Sequence, residues 1–195
     1  AGGRTAPGGS GKGGTAAIAA VRKGTREDVP EIVEIYGRIL TNEELGQASV
    51  GWIRGVYPTE DTALEALEAG ELFVMEEEGA LVAAARINRV QVPEYSQISW
   101  TQPDAPAERI MVLHTLVVDP RYKGRGYGAA FVDFYERYAL EQGCPYLRMD
   151  TNEKNAAARR LYSRLGYREA GIVPCEFNGI SGVYLVCLEK ELEPV

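Results

Sequence analysis

Residues 116–129 read LVVDPRYKGRGYGA. An apolar run ends at Val118, and Pro120 blocks its extension. Three alternating glycines, Gly124, Gly126 and Gly128, then lead into an apolar stripe of Phe131, Phe134, Tyr135 and Tyr138, which predicts a helix over Tyr127–Gln142. Glycines at this spacing let a backbone curl closely around a ligand. Their N–H groups, continued by the helix N-terminus, form a cradle for a phosphate or diphosphate. Lys123 and Arg125 add positive charge there. A tight strand–helix connection with no ligand would read the same way. The spacing is not Gly-x-Gly-x-x-Gly and no acidic ribose partner follows, so a dinucleotide site is not indicated.

Upstream, Ile110–Val118 contains only His114 and Thr115 as polar residues, the pattern of a central strand covered on both faces. Downstream, Pro145–Thr151 reads as a strand. Ala156–Leu165 reads as a helix with Ala158, Leu161, Tyr162 and Leu165 aligned and Gly166 at its C-terminal stop. Asn155 and Tyr162 stand two helical turns apart and share a face. Each also has a plain structural reading, Asn155 as a helix cap and Tyr162 as a core aromatic. Tyr167–Val173 and Gly182–Leu188 are expected closing strands.

Toward the N-terminus, residues 90–108 form a long polar loop with Pro93, Pro103 and Pro106. Glu71–Glu77 and Ala80–Arg89 predict a hairpin about Glu78-Gly79. Thr59 or Asp61 opens a helix with Leu64 and Leu67 on one face. Leu45–Pro58 reads as a short helix and loop. Ala17–Thr25 predicts a strand, and Thr25 or Asp28 caps a helix carrying Ile32, Ile35, Tyr36, Ile39 and Leu40. The mixed order predicts an α/β (α+β) domain of three layers with a mixed sheet. Residues 1–16 read as a flexible Gly-rich tail and 17–195 as one domain. Gly8–Gly14 is no phosphate loop, because Gly13 follows Lys12 where Ser or Thr is needed.

The chain has 195 residues and a formal charge of −7, so broad attraction to nucleic acid or to an anionic membrane is not expected. No apolar run approaches the roughly 18 residues of a spanning helix. Ala1–Ala20 lacks a charged segment followed by an apolar one. Cys144, Cys175 and Cys187 have neither disulfide-framework nor zinc spacing, and the lone His114 excludes a multi-histidine metal site. A cytoplasmic protein without a metal is the expectation.

Three segments together resemble the GNAT superfamily of acyl-CoA-dependent N-acetyltransferases. They are Leu-x-Val-x-Pro at Leu116, Val118 and Pro120, the Lys-Gly-Arg-Gly-Tyr-Gly loop at 123–128, and Asn-x-x-Ala-x-x-Leu-Tyr-x-x-x-Gly-Tyr from Asn155 to Tyr167. They occur in family order, and the resemblance covers about residues 17–190. Lys123 departs from the Gln or Arg usual at that position, keeping the charge of Arg without its planar fork.

The resemblance implies a sheet of about seven strands, with helices on both faces and a V-shaped splay between the fourth and fifth strands. It implies acetyl-CoA as the acyl donor, with pantetheine lying along Leu116, Val117 and Val118. The diphosphate would rest on Lys123, Gly124, Arg125, Gly126, Tyr127 and Gly128. Asn155 would touch the pantetheine arm, and Tyr162 would protonate the departing thiolate. The implied acceptor is a small-molecule primary amine, with a protein amine or a non-catalytic acyl-CoA-binding module as alternatives and a homodimer left open.

An amine acceptor must lose a proton before attack, since an alkylammonium has a pKa of about 10. His114 is one candidate base; strand alternation puts it on the face of Leu116 and Val118 unless a bulge intervenes. A buried core histidine is the equal alternative. Glu108, just before the same strand, is the second candidate. Trp52, Tyr57, Tyr95 and Trp100, with Glu44, Glu94, Asp104 and Glu176, are candidates for the acceptor pocket. No cysteine lies in the glycine loop or on the 110–118 strand, so an acyl-enzyme is not favoured.

Overall fold

A computed structural model describes residues 19–193. The expected tail at 1–16 and the start of the first expected strand lie outside the described residues. The elements run β1 (Ala20–Lys23), α1 (Val29–Glu44), α2 (Glu60–Glu68), β2 (Leu72–Glu77), β3 (Ala80–Asn88), β4 (Ile110–Val118), α3 (Tyr127–Glu141), β5 (Tyr146–Asn152), α4 (Ala156–Arg164), β6 (Arg168–Phe177) and β7 (Ile180–Glu191). They build one seven-stranded sheet in the order β1-β2-β3-β4-β5-β7-β6. Every pairing is antiparallel except β4 with β5. The mixed sheet and its splay are as expected.

Alternation along the strands sorts side chains to two faces. Phe73, Met75, Leu147 and Met149 meet Phe131 and Tyr135 of α3 and Tyr162 of α4. Leu72, Val74 and Ala84 meet Ile32, Ile35 and Ile39 of α1 on the other face. That second face continues across β4, β5 and β7, where loop 90–108 covers it with Tyr95, Ile98 and Trp100. The long loop is therefore part of the core.

Some elements differ from expectation. Residues 45–58 form no helix; Glu43 holds them as a loop by accepting the Val50 and Gly51 N–H groups at 2.8 and 3.0 Å. On α2, Ala63 and Ala66 are the buried residues, with Leu64 and Leu67 half-buried beside them, because α2 sits close against α1. β6 and β7 are longer than predicted. The turn Asn178-Gly179, with φ of 48° and 89°, folds them into a tight hairpin that carries pairing out to Phe177–Ile180.

Candidate active site

β4 and β5 pair only from Ile110–Tyr146 to Leu113–Met149. Beyond that point β4 continues against β3 and β5 continues against β7. The β4 edge from His114 to Val118 that faces β5 thus has no strand partner among the described residues, which leaves its N–H and C=O groups for a ligand. The gap opens into a cleft of about 910 Å³, lined by Leu116 to Val118, the 123–128 loop, Asn155 and Tyr162.

The fork has a local cause. Arg86 lies opposite His114 and Ala84 opposite Val117, so β4 carries one more residue than β3 in this stretch. The bulge contains Thr115, whose φ is 52° and whose hydroxyl bonds that of Tyr57. A bulge bends its strand and resets its faces. Met111 and Leu113 lie on the α3 side before it, and Leu116 and Val118 lie there after it. His114 stays with Ile110 and Val112 on the opposite face. Simple alternation would have grouped His114 with Leu116 and Val118; the bulge separates them.

At the cradle, Gly124 and Gly126 have φ of 81° and 78°, with open space where a side chain would start. Gly126 is the N-cap of the fifteen-residue α3, so the first-turn N–H groups and the positive helix end face outward. Gly128 has a different part: a Cβ there would come within 3.2 Å of Leu161, so its smallness lets α3 approach α4. The Tyr127 ring is buried, leaving its backbone for the cradle. Lys123 and Arg125 have no ion-pair partner among the described residues. Arg121 is already committed, joining Arg38 on the fully buried Asp119 at 3.0 and 2.8 Å.

Asn155 caps α4, its Oδ1 accepting the Ala158 N–H at 3.1 Å, and the residue lines the cleft. Tyr162 is buried from α4, edge-on to Tyr167 with ring centroids 6.0 Å apart. Burial, with the charge of Asp150 adding to it, pushes its phenol well above the usual range, so the hydroxyl remains a proton donor.

His114 Nε2 lies 2.7 Å from Asn88 Oδ1. Asn88 donates its NH₂ to Glu71 at 3.3 Å and accepts the Val90 N–H on Oδ1 at 2.9 Å. Oδ1 therefore accepts from the ring, which places the ring hydrogen on Nε2 and the lone pair on Nδ1. Burial, helped by the Arg86 charge, pushes His114 down to about 4. Glu108 is not brought to the cleft. It sits in a single turn before β4, and about 13 Å of extended strand from Ile110 to His114 lies between them.

Trp52 and Tyr57 line the His114 side of the cleft, with Phe177. Tyr57 meets Trp52 and Phe177 edge-on at 5.6 and 5.1 Å. Tyr95 and Trp100 are instead buried on the inner side of their own loop, 90–108, and Glu44 pairs with Arg54 at 2.7 Å. Residues that sequence reasoning missed are Thr115, Phe177 and Asp150. The signal for Asp150 was available: with apolar Leu147 and Met149 on one face, Arg148 and Asp150 had to share the other. Among the described residues no group of three or more His, Cys, Asp or Glu is placed to hold a metal, and no helix is long and apolar enough to cross a membrane.

The cleft fits an acyl-CoA. An open strand edge matches an amide-bearing arm, and an amide cradle with two unpaired cations matches a diphosphate. Comparison with known proteins agrees on the class. The model of the acetyltransferase (GNAT) family matches residues 33–167, more than half of the chain. The chain belongs to that family.

Among curated relatives, the uncharacterized N-acetyltransferase YhfO of Bacillus subtilis is 28% identical over 98 residues, 50% of this chain and 58% of that protein. The uncharacterized N-acetyltransferase MJ1207 of Methanocaldococcus jannaschii is 33% identical over 61 residues, 31% of this chain and 27% of that protein. The chain thus matches less than two thirds of the length of either relative. A GNAT-family acetyltransferase structure from Streptococcus agalactiae superposes with a TM-score of 0.74 at 23% identity, covering 90% of this chain and 96% of that one. The structure of YncA from Salmonella typhimurium with its cofactor acetyl-CoA gives 0.63 at 21%, covering 90% and 94%. The ribosomal-protein-S18-alanine N-acetyltransferase of Escherichia coli gives 0.63 at 18%, covering 91% and 96%. At these identities the structural likeness is one of fold.

Proposed function

We propose that the chain transfers an acetyl group from acetyl-CoA to a primary amine of a small molecule, by direct attack with both substrates bound. The fork between β4 and β5 carries this reading, because the one cleft it opens has two unlike ends. One has the open strand edge, the glycine cradle and Tyr162; the other has aromatic walls and His114. Acetyl-CoA supplies the activated thioester.

The residues then divide the work. Amides of Gly124 to Gly128, with Lys123 and Arg125, hold the diphosphate, and the Asn155 NH₂ holds the arm. A free N–H of the β4 edge near Leu116 to Val118 stabilises negative charge developing on the carbonyl oxygen. The Tyr162 hydroxyl gives its proton to the departing sulfur. No cysteine lines the cleft, which supports direct attack over an acyl-enzyme.

The walls of the second end favour a small acceptor. A Cβ at Gly179 would lie 3.3 Å from Val56, so the β6–β7 hairpin tip rests on the 45–58 loop. The same loop packs on β5, where a Cβ at Gly51 would collide with Asn152 at 2.2 Å. These contacts close one side against an extended polypeptide.

The test is thiol release from acetyl-CoA with alkylamines, arylalkylamines, polyamines and short peptides, with products weighed by mass spectrometry. At least one small amine should yield its acetamide. Release with peptides alone would move the acceptor to protein amines, and no release with any amine would refute transfer.

A further inference from the structure

Arg86 stands on β3 opposite His114, beside the bulge. Its neighbours Ala85 and Ile87 are buried on the α3 side, so Arg86 lies on the other face with Asn88 and His114. β3 is an inner strand, flanked by β2 and β4. The Arg86 side chain is nevertheless 31% exposed. The exposed part opens on the cleft, which Arg86 lines.

Glu71 holds one side of the guanidinium. Nε and Nη2 both donate to Glu71 Oε1, at 3.0 and 2.7 Å. Glu71 is itself fixed: its carbonyl accepts the Ile87 N–H at 3.0 Å, and Oε1 also takes the Asn88 NH₂ at 3.3 Å. Arginine carries five N–H donors in a rigid fork. Only the Nε–Nη2 side is used, and Nη1 donates to no described residue. Nη1 is accessible, because no buried side-chain nitrogen or oxygen among the described residues lacks a partner. The outer edge, Nη1 with the second hydrogen of Nη2, is the edge that grips a carboxylate through two parallel bonds.

The surrounding charge suits that edge. Lys123, Arg125 and Lys154 also line the cleft, but they stand at the glycine loop and just before α4. At the His114 end, Arg86 is the one cation among the described residues lining the cleft. His114 is uncharged at neutral pH, held down to about 4 by burial and by Arg86 itself. The carboxylates lining the cleft are Glu65, Asp119 and Asp150; Asp119 is taken by two arginines, and none of the three pairs with Arg86. A lining of mixed sign matches a ligand of mixed sign. A plain amine or a polyamine would cover the outer edge of Arg86 without giving it an acceptor, and would set like charges side by side.

We propose that Arg86 binds an anionic group of the acceptor, so that the acceptor is an amine that also carries a carboxylate, an amino acid in the simplest case. The assignment deepens the amine-acetylation reading above and rests on it. The carboxylate lies on the Nη1–Nη2 edge, the amine is turned to the fork, and the hydrocarbon body lies against Trp52, Tyr57 and Phe177.

Calorimetry on the CoA-loaded protein at pH 7 tests this with L-phenylalanine and L-leucine, each against its amide, which replaces the carboxylate by an uncharged group of the same shape. In at least one pair the wild type should bind the acid about tenfold more tightly or better, as a hydrogen bond to a charged group provides. Arg86→Gln should bring that ratio close to one while binding of the amide persists. If Arg86→Gln does not fold, because Glu71 is left without its cation, Arg86→Gln combined with Glu71→Gln removes both charges and should show the same loss. If neither acid binds the wild type more tightly than its amide, or if the ratio survives in the variants, the proposal is overturned. Thiol release separates this proposal from acetyl transfer. If the acids are preferred in binding but no amine releases thiol, transfer fails and the anion site stands. If amines release thiol and Arg86→Gln leaves the kcat/KM ratio of acid to amide unchanged, transfer stands and the role of Arg86 falls.

Discussion

Thr115 shows how much one backbone angle decides. Its φ of 52° and the bulge around it leave Leu116 and Val118 toward Tyr162 while His114 stays on the far face. Nothing in the sequence marks it, because bulges at non-glycine residues have no compositional signal; the face of His114 was therefore illegible. Tyr162 was legible, since its spacing from Asn155 survives any helix of ordinary geometry. Its proposed role predicts that Tyr162→Phe lowers kcat by about 10²–10⁴-fold, the usual span for a lost general acid. The acetyl-CoA-induced rise in melting temperature should persist, because the ring packing remains. An unchanged kcat in steady-state assays would remove Tyr162 from the chemistry.

At the scale of elements, the glycine turn, the helix α3 that follows it and α4 were readable from periodicity and punctuation. The clamp of loop 90–108 was not. Its prolines and polar residues look like an open loop, and only tertiary contact reveals that Tyr95 and Trp100 are core. Truncating Trp100→Ala should cost about 3–5 kcal/mol, as for other buried aromatics, measurable by urea unfolding. The longer β6–β7 hairpin was not read, although Asn178-Gly179 is a strong turn signal, because its strands reach further than their apolar residues suggest. In the cradle, Gly126→Ala puts a Cβ at φ 78°, which costs about 1–2 kcal/mol. It should lower the melting temperature and weaken acetyl-CoA binding in calorimetry, whereas unchanged affinity would argue against a cradle that binds through its backbone.

Across the whole molecule, the sheet is continuous except at one place, and the proposed chemistry sits at that place. α3 and α4 carry the groups proposed for the donor on one face, while the 45–58 loop and the β6–β7 hairpin wall the proposed acceptor end of the cleft on the other. In a chain of net charge −7, Lys123 and Arg125 have no ion-pair partner among the described residues and stand where phosphates would lie, which composition alone only hinted at. Amide hydrogen exchange with and without acetyl-CoA tests this arrangement most directly. Protection should appear along the unpaired β4 edge between His114 and Val118 and across Gly124 to Gly128, with little change in β1, β2 and β6. Exchange at both segments that is indifferent to acetyl-CoA would contradict the placement of the donor in the fork.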